Sequence, residues 1–420
     1  MGNRNSLTKL LGGIALFFSV FATAVPTPIA DVALADDDYH WVPTWTSMPQ
    51  EVEPDNLPPS PFVRGSIFKN ATLRQTLHMS IGADRLRVQI SNTFGGSDLP
   101  ITAASLALPT GTKIGVNGID TATLMGLTFA GASSVTIPRG KVIYSDPIDF
   151  KIQPQSMLTV TLYSQGGQSG NKITGHPGSR TTSWMQQGNR VNDSAVTGSN
   201  TKHWYFVSGV EAWAPQNTSA LIILGDSITD GRGSDDDKNN RWTDLLLVKM
   251  QAAGITNVAV ANQAAGGNAV LSGGLGPFLL SRYRRDAIGQ PGVKYVMIFE
   301  GVNDIGGSGG GNVATQLISA FKQIVADARE AGCVTVGATI TPFGGNGYAS
   351  GSHEQARQTV NRWIMAPGNF DYAVDFASII GQGDRLKANF DSGDHLHPNV
   401  AGYQEIANKF PLDIFKEAAV

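Results

Sequence analysis

The sequence holds a single cysteine, Cys333, among 420 residues. An intramolecular disulfide is therefore excluded, and so is any zinc or iron–sulfur site built from several cysteines. Charge is also scarce. Charged residues make up 15% of the chain, and 31 Lys and Arg against 34 Asp and Glu leave a net charge of −3. Nucleic-acid binders carry a basic footprint, so a nucleic-acid partner is not expected. Spanning a bilayer takes ~20 consecutive apolar residues, and no stretch after the N-terminus offers that, so stable membrane insertion is not expected either. No fixed repeat recurs, which argues against propellers and solenoids. What the chain does have is 41% hydrophobic residues, 49 glycines and 21 prolines. That is ample core material with many turns, the opposite of a disordered composition. At ~150 residues per domain, two domains are the default.

The first residues carry Arg4 and Lys9, then an apolar run over residues 10–20, then Ala22-Thr23-Ala24 and Ala33-Leu34-Ala35 as two small-residue cleavage sites. This is the pattern of a secretory leader. The apolar run is too short for a membrane anchor. Residues 1–35 are read as a leader cut near residue 24 or 35, and the mature chain is expected outside the cell. Asn70, Asn192 and Asn217 begin glycosylation sequons, which matter only in a eukaryotic host.

Two textures follow. Residues 36–215 show short alternating runs, as in Thr72–Ser80, 85–91, 134–137, 141–144 and 157–163, separated by Gly, Pro, Asn and Asp. Such runs predict an all-β sandwich or barrel. Residues 216–420 alternate apolar runs with helical spacing. Strands are predicted at 221–225, 258–261, 295–299, 334–340 and 372–376, and helices at 241–253, 312–331, 353–365 and 399–410. Strand–helix alternation implies an α/β fold with a doubly wound parallel sheet. In such sheets the site lies beyond the carboxyl ends of the strands.

Those ends collect polar residues. The first strand runs into Gly225-Asp226-Ser227, and the second into Asn262 through Asn268. The third runs into Gly301-Val302-Asn303-Asp304, and Asp394-His395-Leu396-His397 follows the fifth. These residue types suit acyl transfer. A serine hydroxyl needs a base to take its proton. Histidine titrates near neutrality and can serve, and an aspartate on its other ring nitrogen fixes the tautomer. Glycine N–H groups and an Asn amide can donate to the oxyanion.

Together the four segments resemble the SGNH, or GDSL-type, hydrolases, in order and spacing, over essentially all of residues 218–420. The resemblance implies a flavodoxin-like, three-layer hydrolase domain with Ser227 as nucleophile, His397 as base and Asp394 as its orienting partner. It further implies an oxyanion hole made by the N–H groups of Ser227 and Gly267 and the side chain of Asn303, with Gly266 as the alternative to Gly267. One departure stands out: the family usually has Gly two residues after the Asn of its second block, where this chain has Ala264. Secreted two-domain members carry a β-rich domain before the hydrolase. Residues 74–78, 91–95, 127–129 and 134–138 resemble that domain.

Ser227 alone could be a helix cap, and His395 competes with His397, but the Asp-x-x-His spacing favours His397. Asp230 and Asp304 are read as structural. Ser308 sits in Gly306-Gly307-Ser308-Gly309-Gly310, which matches G-x-S-x-G without the strand that a nucleophile elbow requires. Asp235, Asp236 and Asp237 lack the spacing of a calcium loop. Cys333 reads as a small buried hydrophobe, and His176 as a surface loop histidine in preference to one reaching the active-site mouth from the β domain. The expected protein is a secreted serine esterase without cofactor or metal. Its substrate would be an ester, with acyl groups on polysaccharides and short-chain esters ahead of lipids and phospholipids. A surface- or carbohydrate-binding protein with an inactive hydrolase domain is the alternative class. Oligomeric state is left open.

Overall fold

The computed structural model describes residues 38–309 and 311–418, and the leader assigned to residues 1–35 lies outside them. Up to Pro215 the regular elements are strands and three-residue 3-10 turns. Two antiparallel sheets dominate. One orders Tyr39–Thr46, Val207–Pro215, Ala83–Ser91 and Val142–Tyr144, with Ile148–Ile152 also pairing Ala83–Ser91. The other runs through Ser199–Thr201, Ser183–Gln187, Ala71–His78, Met157–Ser164, Ala103–Ala107 and Met125–Gly126. The period-two pattern does what it should in Ala83–Ser91. Leu86, Val88 and Ile90 are fully buried, while Arg85, Arg87 and Gln89 alternate with them on the wetter face.

Three residues past Pro215 the topology changes. Five parallel strands take the order Val258–Ala264, Ser219–Gly225, Val293–Phe299, Val334–Ala338 and Tyr372–Val374. In chain order this is 2-1-3-4-5, the flavodoxin-like arrangement, whose crevice opens beside strands one and three. The first strand in chain order, Ser219–Gly225, is an interior strand of the sheet and is buried along its whole length, as a strand covered on both faces must be.

Helices Trp242–Ala252, Phe376–Ile380 and Val400–Lys409 pack together as one group, and Val313–Glu330 and Gly351–Met365 as another. Trp242 anchors the first group, with Phe299, Phe376 and Phe410 around its ring. Among the described residues no helix is long and apolar enough to cross a membrane.

Register sets up the site. Gly225 lies level with Ala264 on one side and Phe299 on the other, so three strands end flush. The loops that follow therefore open side by side. The β-rich region reaches the same sheet. Ser80 Oγ accepts from Val260 N–H at 2.6 Å, and Thr46 Oγ1 donates to Asn262 O at 3.1 Å.

Candidate active site

Ser227 opens a one-turn helix, Ser227–Asp230, just after strand Ser219–Gly225. Asp226 caps that turn by accepting from Ile228 N–H at 2.9 Å. Gly225 permits the tight passage from strand to helix, because a Cβ there would stand 2.7 Å from Thr229 Cβ and 3.0 Å from Phe299 O. His397 arrives from the loop before Val400–Lys409. Its Nε2 lies 2.8 Å from Ser227 Oγ, and its Nδ1 lies 2.6 Å from Asp394 Oδ2. Ser227 and His397 are both buried, at 7% and 6% exposure. Asp394 accepts from its Asp-x-x-His turn as well, taking Leu396 N–H at 3.0 Å and His397 N–H at 2.9 Å on Oδ1.

These contacts decide the charge states. Burial works against ionisation of Asp394, but the hydrogen bonds from His397 and Leu396 outweigh it and hold the carboxyl at about 2. Burial also pushes the His397 ring below its ordinary value. Asp394 opposes that push, and the charges of Arg232 and Arg180 add to it. The neutral ring then carries its proton on Nδ1, facing Asp394, and offers Nε2 to the serine hydroxyl. His395, two residues earlier, points elsewhere: it has φ 62 and pairs with Asp391 at 2.6 Å.

The three donors expected at the oxyanion hole are Ser227 N–H, Gly267 N–H and the Asn303 amide. Ser227 N–H and Gly267 N–H donate to no other group among the described residues. Gly267 has φ +68, a left-handed conformation that suits glycine. Asn303 Nδ2 donates one N–H to Asn268 O at 2.8 Å, while Asn303 Oδ1 accepts from Tyr348 OH at 3.2 Å. Both ends of that amide are thereby fixed, and one Nδ2 hydrogen is left for an incoming oxygen. Asp304 secures the neighbouring loop by accepting from Val270 and Leu271 N–H at 2.8 and 2.9 Å.

Beneath these loops lies a buried ionic group that sequence reading missed. Arg282, fully buried, donates to Glu300 at 3.3 Å, Asp286 at 3.4 Å, Gln263 O at 2.7 Å and Gly225 O at 3.2 Å. Burial, reinforced by Asp226, Asp304 and Asp286 against the single Arg282, pushes Glu300 up to about 8. Asp226 rises to about 7, chiefly through burial. A charged residue closing the apolar run 295–299 was the available signal for Glu300.

The β-rich region contributes as well, and here the structure corrects the reading of His176. It is no surface loop residue. It belongs to strand Thr174–His176, is 4% exposed, and bonds Asp230 Oδ1 through Nε2 at 2.8 Å and Met48 O through Nδ1 at 3.1 Å. Asp230 ends the helical turn that begins with Ser227. Arg241 holds the same turn, donating to Asp230 O at 2.8 Å and to Gly178 O at 3.2 Å. Between the two regions lies a cavity of 50 Å³ lined by His78, His176, Asp230, Arg241, Asp244 and Asn262. Asp237 accepts from Thr182 N–H and Oγ1 at 2.8 and 2.7 Å, and Asp236 pairs with Lys202 at 2.7 Å. The acidic run thus staples the two regions together.

Ser308 follows helix Val302–Gly307, donates to Ile305 O at 2.8 Å, and ends no strand. Cys333 is buried, which raises its thiol. Among the described residues no three His, Cys, Asp or Glu side chains converge as a metal site.

Residues 223–405 match a family model described as GDSL-like lipase/acylhydrolase. No curated protein matches the chain. Several solved structures are similar. A family two carbohydrate esterase from Clostridium thermocellum, in complex with cellohexaose, is 14% identical over 84% of this chain and 94% of its own, with a TM-score of 0.39. A GDSL-like lipase from Bacteroides thetaiotaomicron is 17% identical over 48% of this chain and 89% of its own, TM-score 0.37. A lipase/acylhydrolase from Enterococcus faecalis is 18% identical over 48% and 96%, TM-score 0.37.

Proposed function

From the match of residues 223–405 to the GDSL-like lipase/acylhydrolase family model, we propose that this protein is a secreted serine esterase. The substrate class proposed is acetyl groups on polysaccharides or other short acyl esters. One observation carries the reading: the unbroken line from Ser227 Oγ to His397 Nε2 at 2.8 Å and from His397 Nδ1 to Asp394 Oδ2 at 2.6 Å.

The chemistry follows from that line. Ser227 Oγ attacks the ester carbonyl while His397 Nε2 takes its proton. Asp394 stabilises the imidazolium without itself accepting the proton. The tetrahedral oxyanion receives Ser227 N–H, Gly267 N–H and the second Asn303 hydrogen, and preorganised donors of this kind contribute ~3 kcal/mol each. Collapse breaks the bond to the alcohol, which leaves with the proton from His397. Water then gives a proton to His397 and attacks the acyl-enzyme. The acid departs, and Ser227 recovers its proton.

A serine-reactive phosphonate should label the protein once, and Ser227→Ala should abolish the label. If Ser227→Ala hydrolyses a short-chain aryl ester at the wild-type rate, the nucleophile is another residue. A kcat/KM panel on acetylated xylan, short and long acyl esters and phospholipid sets the substrate class.

A further inference from the structure

The loop 177–182 of the β-rich region is held against the α/β region unusually firmly. Arg241 donates to Gly178 O and Ser179 O, Asp237 N–H donates to Arg180 O at 2.9 Å, and the Asp237 carboxylate takes both donors of Thr182. A Cβ on Gly178 would stand 1.8 Å from Asp230 Oδ2, so the loop lies directly on the turn that begins with Ser227. At the centre of this clamp Arg180 has φ 49, a left-handed conformation costly for a residue with a long side chain.

Its guanidinium is half-buried, with Nε fully enclosed and without a hydrogen-bond partner. No described residue accepts a hydrogen bond or forms an ion pair with it. Four carboxylates of the clamp and the site have other partners: Asp230 bonds His176, Asp236 bonds Lys202, Asp237 bonds Thr182 and Asp394 bonds His397. Its charge is felt by Lys202 and His203 on one side and by Tyr403 and His397 on the other, within electrostatic range of the site, and its loop lies on the turn that begins with Ser227. A second arginine adds to the field there. Arg232 donates its N–H to Ser227 O at 2.9 Å, receives Tyr403 OH on its carbonyl at 2.5 Å, and has an exposed side chain with no ion-pair partner among the described residues.

A guanidinium whose enclosed Nε has no hydrogen-bond partner is a costly feature, and guanidinium is the group best matched to planar or tetrahedral oxyanions. We propose that Arg180, assisted by Arg232, selects esters whose alcohol or acyl part carries an anionic group — a carboxylate, sulfate or phosphate — next to the scissile bond. This rests on the serine-esterase reading above and deepens it by naming the substrate class. It also gives the β-rich region a share in specificity.

The test compares kcat/KM on O-acetylated glucuronic acid, O-acetylated glucose 6-sulfate and O-acetylated glucose. The wild type should prefer one or both charged esters by at least about tenfold, the worth of one charge-assisted hydrogen bond, and the preference should shrink as salt is raised. In Arg180→Met the charged-to-neutral ratio should fall toward one, mainly through KM, and Arg180→Lys should restore part of it. The two charged arms separate carboxylate from sulfate recognition. Equal wild-type rates on charged and neutral esters overturn the proposal without any variant. So does an Arg180→Met protein that loses all three activities in equal proportion, since that is the signature of a purely structural role. Absence of hydrolysis on every ester, the neutral one included, overturns the esterase reading itself.

Discussion

In the proposed mechanism His397 must be neutral to take the proton of Ser227, so its own titration sets the acid limit of activity. Burial holds the ring below its ordinary value of 6.5. The acidic limb of kcat/KM against pH should therefore fall below 6.5, with activity rising as the ring loses its proton. Asp394→Asn keeps the shape of the side chain but presents the wrong partner to Nδ1, and kcat should drop by about 10³–10⁴. Asn303→Ala removes one oxyanion donor and should lower kcat by about 10² with KM little changed. Tyr348→Phe frees the Asn303 amide without removing it and should cost less than Asn303→Ala in the same assay. At this scale the sequence was readable where short local patterns mark residues: Ser227, Asp394 and His397, singled out from their motifs, do come together in the structure. It was unreadable where the two partners of a long-range contact do not both lie in such motifs. His176 meets Asp230 across 54 residues, and Arg282 meets Gly225 O across 57. No local pattern announces either contact.

Among the elements, the helical turn carrying Ser227 is only four residues long, too short to hold itself. Asp226 caps one end, and His176 and Arg241 grip the other. His176→Ala leaves the Asp230 carboxylate buried and unpaired, which should cost about 3 kcal/mol in urea unfolding and lower kcat by letting the turn drift. The long helices were readable because their apolar spacing is strong. Residues 312–331 were expected and Val313–Glu330 formed; 399–410 were expected and Val400–Lys409 formed. Two of the longest β-region strands were not readable. Tyr39–Thr46 is interrupted by Pro43 and a bulge between Pro43 and Trp45, and Val207–Pro215 has its register shifted beside Gly209. Both breaks blur the period-two signal that reveals a strand.

For the whole molecule, the buried acid group under the site ties folding to pH. Glu300 stands at about 8 in the folded chain, above the ordinary 4.5. The folded state therefore binds more protons than the unfolded one between those values, and stability declines as pH rises through that window. The slope from one such group is about 1 kcal/mol per pH unit. Glu300→Gln should flatten it, so that denaturant midpoints at pH 8 exceed wild type while those at pH 5 do not.

The flush ends of three strands have a consequence for how such a chain can vary. Ser227 lies two residues beyond Gly225, Gly267 three beyond Ala264, and Asn303 four beyond Phe299. The three connectors act as rulers of different length laid from one common baseline, and in the proposed mechanism each ends on a donor to the same oxygen atom. Side chains along those rulers can be exchanged at modest cost. A one-residue insertion or deletion in any of them moves a donor by more than the length of a hydrogen bond, so length changes belong in the loops that lie beyond the donors.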